Sequence, residues 1–400
     1  MSWGRTKMTS KKEFVILASQ AGANIRALCR QYRVSPTAGY ALLRRYKAEG
    51  ESGLQERSRR PVSSPNKTDP AIERVVLDLQ AETHWGARKV SQRLRDLAVI
   101  EPLHRSTVHS ILKRNGRIEP AESAKREPWH RFEHPNPNDL SQMDFKGWIR
   151  TGAGPCHPLT VLDDHSRFAL CLEACADEKT ETVQDRLTGM FRKYGLPWRM
   201  TMDNGSPWGD DGGNRLTKLT AWLVRLGVRV SHSRPYHPQT QGKAERFHES
   251  LNAELLKWVT FRDLNDAQGH FDRWRDRYNL ERPHEALGMK TPITRYRPSQ
   301  RLMPEKLAAI EYDSTDEVRH VDQYGKISFK GKITRVGKGC SGMPVAVRPT
   351  VDDGRFEVFF CHQRVSEIEL AANRTPSDPA DSSPPGPRSR PVKSAGRRRT

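Results

Sequence analysis

The sequence predicts a multidomain α/β protein. A mixed, helix-covered sheet is preceded by two helix-turn-helix modules and followed by a small barrel-like β domain. Three observations predict it. The chain has 400 residues, more than one ordinary hydrophobic core organises. Two successive triplets of short amphipathic stretches fill the first 117 residues. Strand-like and helix-like stretches then alternate, until the hydrophobic period drops to two beyond residue 315. The expected domains are helix-turn-helix modules at 1–50 and 68–117, an α/β core at 139–298 and a β domain at 315–370. A basic linker at 51–67, a second linker at 118–138 and a disordered basic tail at 371–400 complete the chain.

In the first module, Phe14, Leu17 and Ala18 form one apolar stripe, and Ile25, Leu28 and Cys29 a second, with Asn24 placed as a cap. Ser35 caps a third helix, and Pro36 takes its first position, where a missing amide costs nothing. Ala38, Leu42 and Tyr46 recur every four residues and face inward. Thr37, Tyr40, Arg44, Arg45 and Lys47 are left outside. The short Tyr32–Val34 turn between small helices is the helix-turn-helix pattern, whose last helix enters a major groove. Arg44, Arg45 and Lys47 are therefore expected DNA contacts. The second module repeats the plan. Ile72, Val75, Val76 and Leu79 mark one helix; Val90, Leu94 and Leu97 mark another. Ser106 is placed to cap a third, with Val108, Ile111 and Leu112 inside and Gly116 past its end. Arg105, Thr107, His109 and Lys113 stay outside, and Arg105 and Lys113 join the expected DNA contacts. In the following linker, Trp129 and Phe132 are the expected anchors.

The core begins with three strands in series, at 141–148, 159–162 and 168–172. A helix at 180–194 buries Val183, Leu187, Met190 and Phe191, and a strand at 198–202 ends at Asp203. A helix at 216–226, a short strand at 228–231 and two more helices at 240–259 and 264–280 follow. In the β domain, Asp352-Asp353-Gly354 reads as a hairpin turn.

Composition narrows the partner. The net charge is +20 and the isoelectric point about 9.9. Residues 1–60 hold 13 Lys and Arg against 4 Asp and Glu, which concentrates the charge beside the first module. Double-stranded DNA is the expected partner. No stretch reaches the apolar length of a membrane span, and the first residues do not read as a secretion signal. The six scattered cysteines lack paired metal-ligand spacing and read as reduced thiols. A cytoplasmic, nucleoid-associated protein is expected, with no membrane contact.

Three carboxylates carry the chemistry. Asp144 lies in S-Q-M-D-F-K-G, Asp203 in M-T-M-D-N-G-S, and Glu245 in Q-T-Q-G-K-A-E-R-F-H. A strand, a strand end and a helix start can bring such acids to one sheet edge. Three acids that close repel one another unless cations sit between them. Oxygen ligands suit Mg²⁺ or Mn²⁺. Two such ions, about 4 Å apart, can stabilise the attacking and leaving oxygens of an in-line phosphoryl displacement. Spacing alone leaves rivals: Asp163 and Asp164 in place of Asp144, and Glu249 in place of Glu245. For Asp163 and Asp164 the competing expectation is a turn closed on Arg167, and Asp210 and Asp211 read as solvated loop residues. His237 and His248 are expected to touch DNA rather than metal.

M-D-F-K-G at 143–147, L-D-D-H-S-R-F at 162–168, M-D-N-G-S-P at 202–207 and S-R-P-Y-H-P-Q-T-Q-G-K-A-E-R-F-H at 233–248 resemble one family. It is the integrase-type catalytic core shared by retroviral integrases and bacterial insertion-sequence transposases. N-L-E-R-P-H-E-A-L-G-M-K-T-P at 279–292 resembles the segment that follows that core. The resemblance implies an RNase H-like fold, a triad of Asp144, Asp203 and Glu245 binding two Mg²⁺ ions, and a homo-multimer on DNA. It places Gln241 and Lys243 in a loop that meets the DNA end. Forty-one residues separate Asp203 from Glu245, more than is usual in the group, and the G-D-D-G-G-N loop at 209–214 accounts for the excess. The implied activity is transposition: cleavage at the element ends and joining of the 3′-OH to target DNA. The alternatives are an RNase H-like nuclease and a catalytically inert DNA-binding regulator.

Overall fold

The computed structural model describes residues 8–57, 67–98, 101–118, 133–209, 216–232 and 242–370. The expected anchors Trp129 and Phe132, the loop acids Asp210 and Asp211, His237, Gln241 and the tail at 371–400 lie outside them. The chain divides into two compact units, Met1–Asp69 and Pro70–Thr400.

The first unit is a three-helix module of α1 (Met8–Ala18), α2 (Ile25–Gln31) and α3 (Pro36–Glu49). Both expected caps form. Asn24 accepts from the Ala27 amide at 3.0 Å, and Ser35 accepts from the Ala38 amide at 3.2 Å. The buried faces differ in detail: Val15 replaces Leu17 in α1, and Gly39 and Leu43 join Leu42 in α3. Gly39 is inside because a Cβ there would overlap the Cys29 Sγ, so α2 and α3 cross at this point. The linker expected from residue 51 starts later. Gly50–Leu54 form a 3-10 turn that buries Leu54 in the module's core. Arg45 holds that turn to α3, its Nε and Nη2 donating to the Gly53 and Gln55 carbonyls at 2.9 and 3.2 Å.

The second unit opens with α4 (Pro70–Thr83), α5 (Ala87–Leu97) and α6 (Arg105–Arg114). They pack around Val76, Trp85, Val90, Leu94, Val108, Ile111 and Leu112. The cap of α6 is His104 rather than Ser106: the His104 Nδ1 accepts from the Ser106 amide at 3.4 Å, and Ser106 lies within the first turn.

The core strands are β1 (Ser141–Phe145), β2 (Ile149–Thr151), β3 (Gly154–Asp163), β4 (Ala169–Cys175), β5 (Arg199–Met202) and β6 (Arg229–His232). They pair in the order β4-β3-β1-β5-β6, with β2 on the first residues of β3. The β1–β3 and β3–β4 pairs are antiparallel, whereas β1–β5 and β5–β6 are parallel. This is the expected mixed sheet, with β3 and β4 longer than their hydrophobic runs indicate. One face carries α7 (Thr180–Tyr194) and α8 (Lys218–Arg225) over Met143, Leu159, Val161 and Met200. The other carries α9 (Gly242–Leu251) and α10 (Leu264–Leu280), whose Phe247, Leu251, Phe271 and Trp274 pack on Leu162, Ala169 and Leu172. The alternation of strand side chains between faces thus builds two separate cores.

The C-terminal strands are β7 (Glu317–His320), β8 (Lys326–Phe329), β9 (Lys332–Arg335), β10 (Pro344–Pro349), β11 (Arg355–Phe360) and β12 (Gln363–Glu369). They form a four-stranded sheet, β12-β11-β10-β7, and a separate β8–β9 hairpin, so the sheets do not close into the barrel expected. This domain shares a core with α7 and α8. The Gln363 side chain bonds both the amide and the carbonyl of Val230, at 2.8 and 3.1 Å. It thereby takes the place of a partner strand at the open edge of β6.

Past α9 the helix widens into a π turn, Asn252–Leu256, which presents Glu254. The Arg282 guanidinium lies 2.8 Å from that carboxylate, both side chains being only 7% exposed, so neither charge has water in place of its partner. Lys89 of α5 joins them at 3.5 Å. Burial and the neighbouring Arg282 push Lys89 down to about 8 despite Glu254. The sign of the linkage follows. Below that value Lys89 is charged in both states and its burial opposes folding; as pH rises towards the unfolded lysine range, the folded state releases its proton first and stability rises. Subtracting the stability–pH curve of Lys89→Met from that of wild type, by chemical denaturation between pH 7 and 10.5, is expected to isolate this rise; a flat difference would contradict it.

Candidate active site

β1 is the middle strand of the sheet, and its alternation sends Met143 to one core and Gln142 and Asp144 to the opposite face. There Gln142 Oε1 accepts from the Ala244 amide of α9 at 3.3 Å. On neighbouring β3, Thr160 faces the same way. Its hydroxyl donates to the Asp144 carbonyl at 2.8 Å and lies 2.8 Å from His248 Nε2. His248 Nδ1 lies 4.0 Å from the Asp144 carboxylate. Burial lowers His248 to about 4, with Lys146 adding to the effect, so the ring is neutral and bridges α9 to β1 and β3. This corrects the expectation that His248 touches DNA.

Asp203 follows β5 on the parallel side of β1. Its Oδ1 accepts from the Gly205 amide at 3.0 Å and from the Trp208 indole, and its carbonyl lies 2.8 Å from His232 Nδ1. Trp208 is 2% exposed. Its part in holding Asp203 is not visible in the sequence, where only a five-residue offset joins the two. Glu245 stands exposed in the first turn of α9. Asp144 is pushed up to about 7 by burial first, then by the charges of Asp203, Glu245 and Glu178, against an opposing hydrogen bond from the Phe145 amide. The two other predicted acids therefore bear directly on Asp144. Among the described residues, no three His, Cys, Asp or Glu side chains are gathered closely enough to hold a metal ion together.

The rival acids have other duties. Asp163 accepts from the Asn138 amide at 2.7 Å and from the Ser166 amide and hydroxyl at 2.8 and 2.5 Å. Ser166, not the Arg167 side chain, closes this turn; the Arg167 guanidinium instead donates to Glu133 at 3.0 Å. Asp164 accepts from the His134 amide at 2.8 Å and from Gln142 Nε2 at 2.9 Å, and holds Lys243 Nζ at 2.5 Å. Lys243 is thus tied to β3's end and its amine is lowered by burial. Glu249 is exposed and pairs with Arg246 at 3.1 Å. Of the other predicted contacts, Arg44, Lys47, Arg105 and Lys113 are exposed.

Family models match along the chain. Residues 134–238 and 226–292 match integrase core domain models, and residues 316–376 match the IS481 family transposase C-terminal domain. Residues 11–61 match a helix-turn-helix domain and 38–112 a homeodomain-like domain. The Pro-Pol polyprotein of feline foamy virus is 28% identical over 134 residues, 33% of this chain and 11% of that protein. The chain therefore spans about a tenth of the foamy virus polyproteins it matches. The insertion element IS476 39.2 kDa protein of Xanthomonas euvesicatoria is 25% identical over 249 residues, 60% of this chain and 69% of that one. The catalytic core domain of BIV integrase aligns at 19% identity over 39% of this chain and 92% of its own, with a TM-score of 0.31.

Sheet, helices and matched segments together define an integrase core with helix-turn-helix DNA-binding domains ahead of it. More particularly, the C-terminal match is to the IS481 family transposase C-terminal domain, and the arrangement is similar to that of bacterial insertion-sequence proteins with an integrase-type core. Among the described residues, no helix is long and apolar enough to cross a membrane.

A half-buried carboxylate repelled by two others is a cost to the metal-free fold. Asp144→Asn is accordingly expected to raise the melting temperature in EDTA near pH 8. A lowered one would contradict the repulsion.

Proposed function

We propose that the protein is a DNA transposase that binds the ends of an insertion sequence, cleaves there and joins the 3′-OH to target DNA. The observation that carries this reading is the raised Asp144 carboxyl, half-buried on the central strand and facing the charges of Asp203 and Glu245. An all-oxygen set whose members repel one another fits Mg²⁺ or Mn²⁺. Asp144, Asp203 and Glu245 would hold the metal, and two bound ions would supply charge stabilisation to the attacking and leaving oxygens of phosphoryl transfer. The chain's own residues do the positioning. Trp208 and Gly205 orient Asp203 through one oxygen. The neutral His248 ties the helix of Glu245 to the strand of Asp144 through Thr160. Two ends must be held for joining, so the working form is a homo-multimer on DNA. Gln241 and Lys243 are the residues of this region assigned to the DNA end, and Lys243 is held on Asp164.

Asp144→Asn, Asp203→Asn and Glu245→Gln are each expected to abolish cleavage and joining of labelled element ends, with end affinity preserved. Glu249→Gln is expected to stay active. EDTA should reproduce the loss, and Mg²⁺ should raise the melting temperature of wild type but not of Asp144→Asn. Joining by any of the three variants would remove that residue from the triad.

The DNA-binding reading assigns Arg44 and Lys47 of α3, and Arg105 and Lys113 of α6, to DNA. Arg45 has a structural partner in the Gly53 turn, so Arg44→Ala with Lys47→Ala is the cleaner probe. That double variant is expected to weaken end binding and to lower the slope of log affinity against log salt by about 1 to 2. An unchanged slope would take α3 off the phosphates.

A further inference from the structure

Helix-turn-helix modules often meet DNA phosphates through the helix before the recognition helix. In the second module that helix is α5, and its basic residues are engaged elsewhere. Arg93 pairs with Glu281 at 2.7 Å, Arg88 with Glu285 at 3.2 Å, and Lys89 with Glu254 at 3.5 Å. All three acids belong to the core, just beyond α10 or in the π turn that continues α9. Two contacts extend the seam. Glu82, at the end of α4, accepts from Arg277, and the His84 ring stacks on Trp258 at 4.1 Å with only 6° between planes. Trp258 is otherwise 60% exposed, so this ring pair lies at the rim. Val90, Ser91 and Leu94 of the same helix are buried within the module itself. On α6, by contrast, Arg105, His109 and Lys113 recur every four residues, are exposed, and make no ion pair among the described residues. The module thus turns one basic face to protein and leaves the other open.

We propose that α5 is a docking face, which clamps the second helix-turn-helix module to the catalytic core and sets cleavage at a fixed distance from the base pairs read by α6. The inference rests on the transposase reading above. The mechanical link is short: Glu254 lies in the continuation of the helix that carries Glu245, about two and a half turns on. A displaced module would shift the scissile phosphate relative to the acids, and an error of about 1 Å can cost roughly a hundredfold in rate.

The test uses the full chain and the Arg88–Glu285 and Arg93–Glu281 pairs. Arg88→Glu with Arg93→Glu breaks the clamp; adding Glu281→Arg and Glu285→Arg reverses each pair and restores the net charge. End affinity is measured, and cut positions are mapped at nucleotide resolution. The broken clamp is expected to bind ends within about threefold of wild type, yet cut the correct bond at least about tenfold more slowly and with scattered positions. The swapped chain, whose α5 is still acidic, is expected to recover position and rate to within about threefold. If the swapped chain binds ends at least about tenfold more weakly than wild type, α5 contacts DNA and the proposal falls. It falls equally if the broken clamp cuts the correct bond as fast as wild type. A wild-type chain that binds ends and cuts none would overturn the transposase reading instead. Docking is then judged from hydrogen exchange over residues 87–97. Protection lost in the broken clamp and regained in the swap supports it, and unchanged protection overturns it.

Discussion

The position of β1 in the middle of the sheet is the constraint on which the rest depends. It pairs antiparallel with β3 on one side and parallel with β5 on the other. A central strand has no solvent edge, so each of its side chains must be placed in one core or the other. Met143 enters the core under α7 and α8, which leaves Asp144 facing α9. The same alternation on β3 puts Thr160 beneath His248, and the parallel pairing with β5 brings the strand end that carries Asp203 alongside. A one-residue slip of β1 would bury the carboxylate under α8 and expose a methionine. Fold and site are therefore specified by one register.

That register imposes a conflict. A carboxylate half-buried among other carboxylates is unfavourable, and the raised protonation value of Asp144 has that cause. The surrounding structure holds it there through neutral groups. Thr160 binds the Asp144 backbone, His248 stays uncharged, and Trp208 supplies a donor to Asp203 without adding a positive charge. No Lys or Arg neutralises Asp144 among its described partners. A guanidinium in that position would relieve the repulsion, and with it the attraction for a cation.

Features decided by local chemistry were legible in the sequence. Asn24 and Ser35 cap as expected because a cap is made with an amide two or three residues away. The buried face of α7 was readable from its period, and the order of strands and helices followed from alternation. Features decided by distant partners were not. Arg45 and Lys243 look like DNA contacts by residue type and position, but one closes a 3-10 turn and the other binds Asp164. Trp208 gave no signal. Ser106 fits the rule for a capping residue, yet the ring of His104 takes that place because the helix starts two residues earlier. The expected barrel rested on alternation and turns. Those predict strands but not closure, which depends on pairing between β8–β9 and the larger sheet.

Basic charge in this chain has two uses, which residue counts cannot separate. The overall excess of +20 argues for a polyanionic partner. Yet α5, one of the most basic helices, directs Arg88, Lys89 and Arg93 to carboxylates of the core, while α6 keeps Arg105 and Lys113 in the open. The distinction lies in the acids. Glu254, Glu281 and Glu285 are spread over the π turn and the segment past α10, and only folding brings them to one seam. A basic helix matched by acids in its own chain is a protein interface, and one without them is a candidate nucleic-acid surface. On that criterion the two helices of a single module, similar in composition, have opposite assignments.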